Sequence, residues 1–590
     1  MAALRREMVA VANESFANTL LVEVEGSPLP ADVAGLLTYA YVEDDRNLPD
    51  MFVLRFHDPA QIALSKGRFK VGAKVSLKVK TAEPTAPQLL MSGEVTALEL
   101  DLDSTGTVTQ VRGMDQAHRL FRGRRVAAYP NMSVADVVRK VTQRAGLTPG
   151  TIDAVPGVGG QQNTQLSQDN VSDWEFLSRL ANLVGAQILV LDGKLDFRLP
   201  QAPSGAPATT AASTKDPLVL EASRNLVALR ASISAAEQVP EVEARGWDFE
   251  HKQELSATAT PRLADVQVDG LDPVAMAKGF GSPNFLSAGA AYHSQAEVKA
   301  VAQALADQIG GASVELEGVV RGNPKLRQGT AVALAGVGAP FAGKYTLTST
   351  RHLFNEQAGY TTAFTVSGRQ ERSLYGLVTS GGHGQEEHPT GGLVPAVVSD
   401  ARDPLKLGRV RLTFPWLAKD FTSGWARTVQ PGAGKGRGAV VLPEVGDEVL
   451  VGFAGGDLDT PYVIGGLYNG KDTPPDLSVP PVDGASGEIG ARAFVSRTGH
   501  RLELVDSPRG DAVLLSTGDG KLLLKLDKKS STVELTSSGQ VKITGMGVTV
   551  DAGAGVLELK GQQVKVTGQA AAEMTASGSV TVRGGIVRIN

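Results

Sequence analysis

Hydrophobic and polar residues alternate over most of the chain before residue 376, and this period of two predicts short β-strands with one buried face. The clearest runs are Met51–Phe56, Ala73–Lys80 and Gly93–Leu100. Residues 201–214 interrupt the pattern with alanine, proline, serine and threonine, a composition that predicts an exposed loop. We therefore expect residues 1–376 to form mainly β-barrel domains.

Three segments of this region show apolar residues at helical spacing instead. Each begins after a serine that can cap the first turn: Ser133, Ser172 and Ser294. Glutamate follows three residues after the second and third serine, which predicts a capping box at both. Gly310 is the expected stop of the third helix. These stripes are typical of helices packed on a core, so the β domains should carry a few helical insertions.

A compact all-β pattern follows residues 377–392, which are rich in glycine and predict a flexible linker. Several apolar runs of strand length crowd into residues 393–472, which predicts a small closed barrel such as an OB-fold. The runs are Val394–Val398, Gly408–Phe414, Ala426–Val429, Gly438–Leu442, Glu448–Phe453 and Pro461–Leu467. The four prolines of Thr473–Pro481 then predict a stiff connector over residues 473–490.

Residues 491–590 end in a repeat of apolar–polar–apolar triplets that are separated by glycine-containing bends. Both apolar side chains of a triplet point to the same face of a short strand, and glycine permits the bend that follows. The apolar residues are Val533, Leu535, Val541, Ile543, Val548, Val550, Leu557, Leu559, Val564, Val566, Ala572, Met574, Val580, Val582, Val587 and Ile589.

Such strands cannot bury their apolar face alone, and two arrangements would solve this. One chain could coil into a β-helix with three strands per rung, but eight triplets would give fewer than three rungs. Three chains could instead wind into a triangular prism with the triplets, from Val533 to Val582, around a shared axis. The rung count favours this trimeric β-helix, and an open sheet is disfavoured because the strands are short. Val587, Ile589 and Asn590 would then form a blunt tip that needs a capping partner.

Composition and charge exclude several other functions. A formal charge of −5 on 590 residues gives no basic surface for nucleic acid. Without cysteine, the chain has no disulfides, thiolate metal sites or cysteine nucleophiles. The charged N-terminus lacks the apolar core of a signal peptide, and no window is long enough to span a membrane. We therefore expect folding and assembly in the cytoplasm.

Candidate chemistry is weak along the whole chain. Gly432–Gly438 has the glycines of a phosphate loop, but Gly436 follows Lys435 where a Walker loop needs serine or threonine. His383 and His388 lie in the predicted linker, where nothing preorganises them for a metal. We predict no metal, no cofactor and no catalytic residue, and therefore no enzyme.

Several motifs are similar to those of the VgrG-type central spike proteins of contractile injection systems, which are related to phage-tail hub and spike proteins. Asn170–Leu180, Gly343–His352 and Gly359–Val366 resemble parts of the hub of that family. The most specific motifs resemble its OB domain: Asp403–Leu412, Trp425–Arg427, Leu442–Val449 and Pro461–Asn469.

The resemblance implies a homotrimer whose hub domains contact the inner tube and the baseplate and whose needle points forward. It also implies a PAAR-type protein on the tip and mechanical piercing of a target membrane, as part of a particle that is released or delivered to a target cell. Residues 470–494 are too few for an inserted lysozyme, and Asn590 leaves no room for an effector. The alternatives are a peptidoglycan-degrading tail spike and a trimeric receptor-binding fibre.

Overall fold

The computed structural model describes residues 18–46, 48–81, 86–104, 106–155, 157–160, 164–288, 292–356, 359–368, 392–418, 420–508 and 510–589. The chain divides into two compact units, one up to Asp472 and one from Thr473. Residues 377–391 of the predicted linker lie outside the described residues. The described chain is mostly β with a few helices, as the sequence predicts.

The first unit begins with many short strands. Those before residue 368 are β1 Thr19–Val24, β2 Ser27–Pro28, β3 Leu37–Asp45, β4 Met51–His57, β5 Lys74–Lys80, β6 Gln88–Asp103, β7 Gly106–Met114, β8 Arg125–Pro130, β9 Thr148–Ile152, β10 Gln165–Val171, β11 Gln187–Leu191, β12 Lys194–Arg198, β13 Val219–Glu221, β14 Leu226–Ile233, β15 Val242–Asp248, β16 Gln253–Ala259, β17 Val266–Gln267, β18 Phe285–Ser287, β19 Val314–Arg321, β20 Ala331–Ala335, β21 Gly343–Thr346, β22 Ser349–Asn355 and β23 Gly359–Ser367.

Helices are few in this region. They are α1 Ala31–Ala34, α2 Ala63–Gly67, α3 Val134–Arg144, α4 Asp173–Val184, α5 Pro273–Gly279 and α6 Gln295–Gly311, with a 3₁₀ turn at Gln116–Phe121.

An antiparallel sheet of eleven strands organises the region, in the order β14-β19-β23-β22-β3-β4-β7-β6-β5-β1-β2. Its two halves cover two separate cores. One core lies under β1 and β3–β7 and contains Phe52, Leu54 and Phe56; the other lies between β14, β19 and β23 and the smaller sheet β13-β20-β21-β17. The pairing of β22 with β3 joins the two halves.

Buried charges lie beside this junction. Arg327 contacts both carboxylate oxygens of Asp44 on β3, and its guanidinium lies 3.8 Å from Asp50. Burial, reinforced by the Asp44 charge, raises the pKa of Asp50 well above its usual range, and burial raises the pKa of Asp115 to about 8. Burial therefore favours the neutral form of both acids, and the Arg327 guanidinium pairs with Asp44 at the junction.

His352 on β22 holds the Arg327 loop from the other side. Its imidazole is fully buried, with Nε2 2.9 Å from the carbonyl oxygen of Leu326 and Nδ1 2.8 Å from the Tyr360 hydroxyl. Burial lowers the pKa of His352 to about 4, so the ring is neutral. A neutral imidazole can donate from Nε2 and accept at Nδ1, which satisfies both neighbours.

All three predicted helices form where the serines indicate. Ser133 caps α3, and Ser172 and Glu175 make the reciprocal hydrogen bonds of a capping box at the start of α4. Ser294 accepts from the Glu297 amide at the start of α6, but the Glu297 side chain accepts from the backbone N–H of His293 and not from that of Ser294. The capping box predicted at Ser294 is therefore wrong in its second hydrogen bond. Helix α6 ends at Gly311, one residue beyond the expected stop.

Residues 201–214 form a loop, as predicted, but only part of this loop is exposed. Ala206 is buried, and Ala211 packs on a small core of Val219, Ala333 and Ala335. The Ser213 hydroxyl and amide both donate to Glu221, at 2.7 and 3.0 Å. Small side chains let this polar loop lie closely on the neighbouring strands.

The rest of the first unit is a closed barrel. Its strands are β24 Leu393–Asp400, β25 Arg411–Thr413, β26 Arg427–Thr428, β27 Ala433–Gly434, β28 Arg437–Gly438, β29 Glu448–Phe453 and β30 Pro461–Gly466. Five strands pair in the order β25-β24-β29-β30-β26, and the backbone pair Val410–Ala426 closes the ring between β25 and β26. The single parallel pair, β26 with β30, completes the five-stranded Greek-key barrel of an OB-fold.

One predicted barrel strand, Gly438–Leu442, does not form. A two-residue ladder of β27 and β28 ends at Gly438, and the following residues have no strand pairing. The amide of Val441 donates to the Gln430 side chain instead, and Val440 is 82% exposed. The apolar run suggested a strand, but no neighbouring strand is available to it.

The second unit begins with the proline-rich connector and continues as an antiparallel meander. Its strands are β31 Ala491–Val495, β32 Arg501–Ser507, β33 Gly510–Ser516, β34 Leu522–Asp527 and β35 Thr532–Ser537, paired in chain order. The connector lies on β32: the Ser478 amide and hydroxyl donate to the buried Glu503, and Arg501 donates to the carbonyl of Asp476. Residues 538–589 form no helix or strand in the described chain.

Replacing Arg327 tests the importance of the buried ion pair. Arg327→Leu leaves Asp44 buried without its counter-charge, and we expect the free energy of unfolding to fall by about 3–5 kcal/mol. Arg351→Leu is the matched control, because Arg351 pairs with the neighbouring residue Glu43 at a much more exposed position. That change should cost less than about 1 kcal/mol. Urea denaturation of both variants provides the comparison, and equal losses would contradict a dominant role for the buried pair.

Candidate functional site in the barrel and the apolar repeat

The joint between the β domains and the barrel contains a stack of alternating arginines and aromatic rings. Phe249, from the turn after β15, lies between two barrel arginines, with its ring centre 5.9 Å from Arg409 and 5.4 Å from Arg427. Arg427 also lies over Tyr462, and Arg409 and Arg411 lie over Trp425. These distances are within the range of cation–π attraction. Phe249 therefore extends a barrel stack into the neighbouring domain.

The arginine at the centre of this stack is held in place from the barrel side. Arg409 is 4% exposed and donates two hydrogen bonds to Oδ1 of Asp403, at 2.8 and 3.1 Å. Asp403 also accepts from the backbone N–H groups of Leu405 and Leu407, so it is fixed by its own loop. A guanidinium held this way can present its flat face to Phe249 without losing its charge partner.

A second contact of the joint is made by a buried acid of the barrel. Asp459 accepts a hydrogen bond of 2.9 Å from the backbone N–H of Ser167 on β10. Burial raises the pKa of Asp459 well above its usual range, and the charges of Asp457 and Asp169 add to the shift. Nearby, the Gln165 side chain donates to the carbonyl of Thr422. Asp457 and Asp459 lie in a turn of the barrel, and this turn contacts the adjacent domain.

The ribbon formed by β8 and β10 belongs to two cores at once. Tyr129 of β8 is buried in the core beneath α3 and α4, while Val126 and Ala128 of the same strand pack on the barrel core. Alternation along one strand thus places its two faces in two domains. The joint combines a shared strand, the arginine stack and Asp459, so the two domains are packed as one body.

In the second unit, one face of the meander is apolar and uncovered. Strand pairing aligns two rows of apolar side chains across β32–β35, and we call these rows the apolar face of the meander. The first row is Leu502, Leu515, Leu524 and Leu535, and the second is Leu504, Val513, Leu526 and Val533. Their exposed fractions run from 36% for Val513 to 73% for Val533. Continuous apolar surfaces of this kind are typical of interaction sites.

The apolar side chains of the triplets are also exposed. Val533 and Leu535 lie in β35 and so belong to the meander, while the other triplets follow it outside any helix or strand. Exposed fractions range from 50% for Val541 to 92% for Ile589. The chain therefore does not coil into a single-chain β-helix in the described residues 538–589. Asn590 lies outside the described residues.

Every other predicted core and tip residue is exposed in the single chain, and none is brought into contact with a shared core. These residues are Ile543, Val548, Val550, Leu557, Leu559, Val564, Val566, Met574, Val580, Val582 and Val587. Their role in a needle stays a prediction.

A cleft of about 480 Å³ lies on the outer face of the eleven-stranded sheet. Tyr39, Tyr41, Val53, Arg55 and Arg112 are among the residues that line it, and its lining includes no carboxylate or imidazole. The described residues contain no group of three or more potential ligands arranged to hold a metal ion.

Two protein families match the chain. The family described as the type VI secretion system/phage-baseplate injector OB domain matches residues 394–468, which is the closed barrel. The family described as the Alg8 N-terminal domain matches residues 61–356, half of the chain.

Similar curated proteins include type VI secretion system spike proteins. VgrG5 of Pseudomonas aeruginosa is 46% identical over 72 residues, which is 12% of this chain and 9% of that protein. VgrG3 of Vibrio cholerae is 39% identical over 72 residues, again 12% of this chain and 7% of that protein. The chain thus spans less than a tenth of the length of these relatives in the matched stretch.

A solved structure of the Francisella PdpA–VgrG complex, in a half-lidded state, has the same overall fold. It superimposes with a TM-score of 0.54 over 91% of both chains, at 8% sequence identity.

The barrel, the β domains before it and these similarities define a spike protein of the phage-baseplate class. The chain belongs to the VgrG-type spike proteins, and over residues 61–356 to the family of the Alg8 N-terminal domain. Among the described residues, no helix has both the length and the apolar character needed to cross a membrane.

Removing the Phe249 ring tests the joint. Phe249→Ala deletes two cation–π contacts of about 0.5–1 kcal/mol each, so local opening of the joint should become about tenfold more frequent. Hydrogen exchange at the Ser167 amide, which donates to Asp459, reports this opening. Phe280→Ala is the control, because Phe280 is 80% exposed and should not affect this amide. Unchanged exchange in Phe249→Ala would show that the stack does not hold the domains together.

Proposed function

We propose that the protein is the trimeric central spike of a contractile injection system, connecting the inner tube and baseplate to a piercing tip. The observation that carries the proposal is the uncovered apolar surface of the second unit. It begins with the paired rows of the meander and continues through the triplets to Ile589. Three copies would bury these side chains around one axis and would pair the strand edges of residues 538–589 with each other.

Burial of the triplets by other copies explains the repeat better than burial by a different protein. The triplets recur every seven to nine residues with the same polarity, so identical chains can make the same contact at every level. We propose that a PAAR-type tip protein covers Val587 and Ile589. The first unit would contact inner-tube and baseplate proteins.

We further propose that the chain acts mechanically and has no catalytic activity of its own. The similarity to spike proteins supports this. One relative, VgrG1 of Vibrio cholerae, is described as an actin cross-linking toxin, and its match here covers the same length of 72 residues, 7% of that protein. In this proposal the protein assembles in the cytoplasm and leaves it within the injection particle.

A charge at the proposed axis tests the trimeric needle. Val566→Asp would bring three carboxylates together in an apolar core, each costly to bury without a partner. We expect the repeat to lose its protection against thermolysin, which cuts beside apolar residues, while the first unit stays folded. Thr567→Asp adds the same charge at the next residue, on the side expected to face water, and should keep full protection. Protection retained in Val566→Asp would contradict the proposed core.

A further inference from the structure

The polar residues of the repeat follow a charge order that is not needed for burial. The middle residue of each triplet points away from the apolar pair, because side chains alternate along a strand. In chain order these residues are Glu534, Lys542, Thr549, Glu558, Lys565, Glu573, Thr581 and Arg588. Each is exposed in the single chain. No two consecutive triplets carry the same charge sign at this position.

The position directly after each triplet also faces outward. Here too, consecutive repeats never carry the same charge sign. After the first seven triplets these residues are Thr536, Thr544, Asp551, Lys560, Thr567, Thr575 and Arg583. Asp551 and Lys560, on consecutive repeats, have opposite signs, and all other consecutive pairs include a neutral threonine. Within the single chain, Lys560 lies 2.7 Å from Glu558, so these charges already have the reach to pair along the surface.

Consecutive repeats become neighbours in a three-chain prism, although they are not neighbours in one chain. Each chain moves to the next side of the prism at every bend, and the three chains are equivalent. The strand stacked above a given repeat on the same side is therefore the next repeat of another chain. Neighbouring strands lie about 4.7–4.9 Å apart, so the two middle side chains can touch.

We propose that these outward charges set the register in which three copies of this chain assemble, through ion pairs between consecutive repeats of different chains. This inference rests on the trimeric spike proposed above. The apolar triplets are similar to one another, so burial alone would tolerate a slip by one repeat. In the correct register Lys565 lies between Glu558 and Glu573 of the other chains. A relative slip of one chain by one repeat stacks each triplet on its own equivalent, so Lys565 meets another Lys565.

Opposite charges on neighbouring strands attract and like charges repel. The charge order therefore stabilises the correct register and destabilises the slipped one. Isolated exposed pairs contribute little. Three chains repeat each pair three times around the axis, and the block from Glu558 to Glu573 contains two such sets. The register therefore depends on a network of pairs.

Lys565 is the residue at which to test this, because both of its neighbours in the order are acidic. Lys565→Glu creates a run of three acidic levels, and we expect thermolysin to digest the repeat of the full-length trimer about tenfold faster. Lys565→Gln removes the attraction without adding repulsion. Its digestion rate should lie between those of the unchanged protein and Lys565→Glu. The triple variant Glu558→Lys, Lys565→Glu, Glu573→Lys restores the alternation and should recover most of the protection.

Two controls distinguish an effect of the charge order from a general effect of added charge. Gln562→Glu adds a negative charge in the bend before the same triplet and should digest like the unchanged protein. High salt should reduce the difference between Lys565→Glu and the unchanged protein, because exposed charges are screened. If Lys565→Glu resists digestion as well as the unchanged trimer, or if the triple variant is no better than Lys565→Glu, the charge order does not set the register. The trimer itself would stand in both cases, whereas a monomeric unchanged protein would overturn the proposed function and this inference together.

Discussion

Each strand of this protein must bury an apolar face and pair its backbone groups. How each part of the chain meets this requirement determines its structure. The first unit meets it internally: the eleven-stranded sheet covers two cores, and the barrel closes on itself. The meander pairs its strands but leaves a face of leucines and valines open. After Ser537 the described chain meets neither requirement. The first unit buries its own apolar side chains and the second unit does not. We therefore assign assembly to the second unit.

Several buried contacts hold the domains of the first unit together. Strand β8 contributes to two cores, Phe249 lies between barrel arginines, and Asp459 accepts from Ser167. The pair of Arg327 and Asp44 performs a similar task between the two halves of the large sheet. Each joint uses a buried charge with defined partners, which selects one packing of the domains over others.

Local chemistry was predictable from the sequence, whereas contacts between distant segments were not. The capping box of Ser172 and Glu175 depends on residues three apart, and it forms as expected. Arg327 and Asp44 are 283 positions apart, and nothing in either segment indicates the other. Val440 and Val441 look like a strand because they are apolar, yet they lack a partner and stay exposed. The leucine rows of β32–β35 alternate regularly, so the meander could have been predicted from the same period that revealed the earlier strands.

The mass of the full-length protein in solution tests the central claim most directly. Light scattering on the purified chain should give about 185 kDa, three times the chain mass of 61.6 kDa, across a wide range of concentrations. The uncovered triplets and the apolar face of the meander would then be buried between copies. A stable, folded monomer of about 62 kDa would contradict the account, because the second unit would have to keep its apolar surface in water.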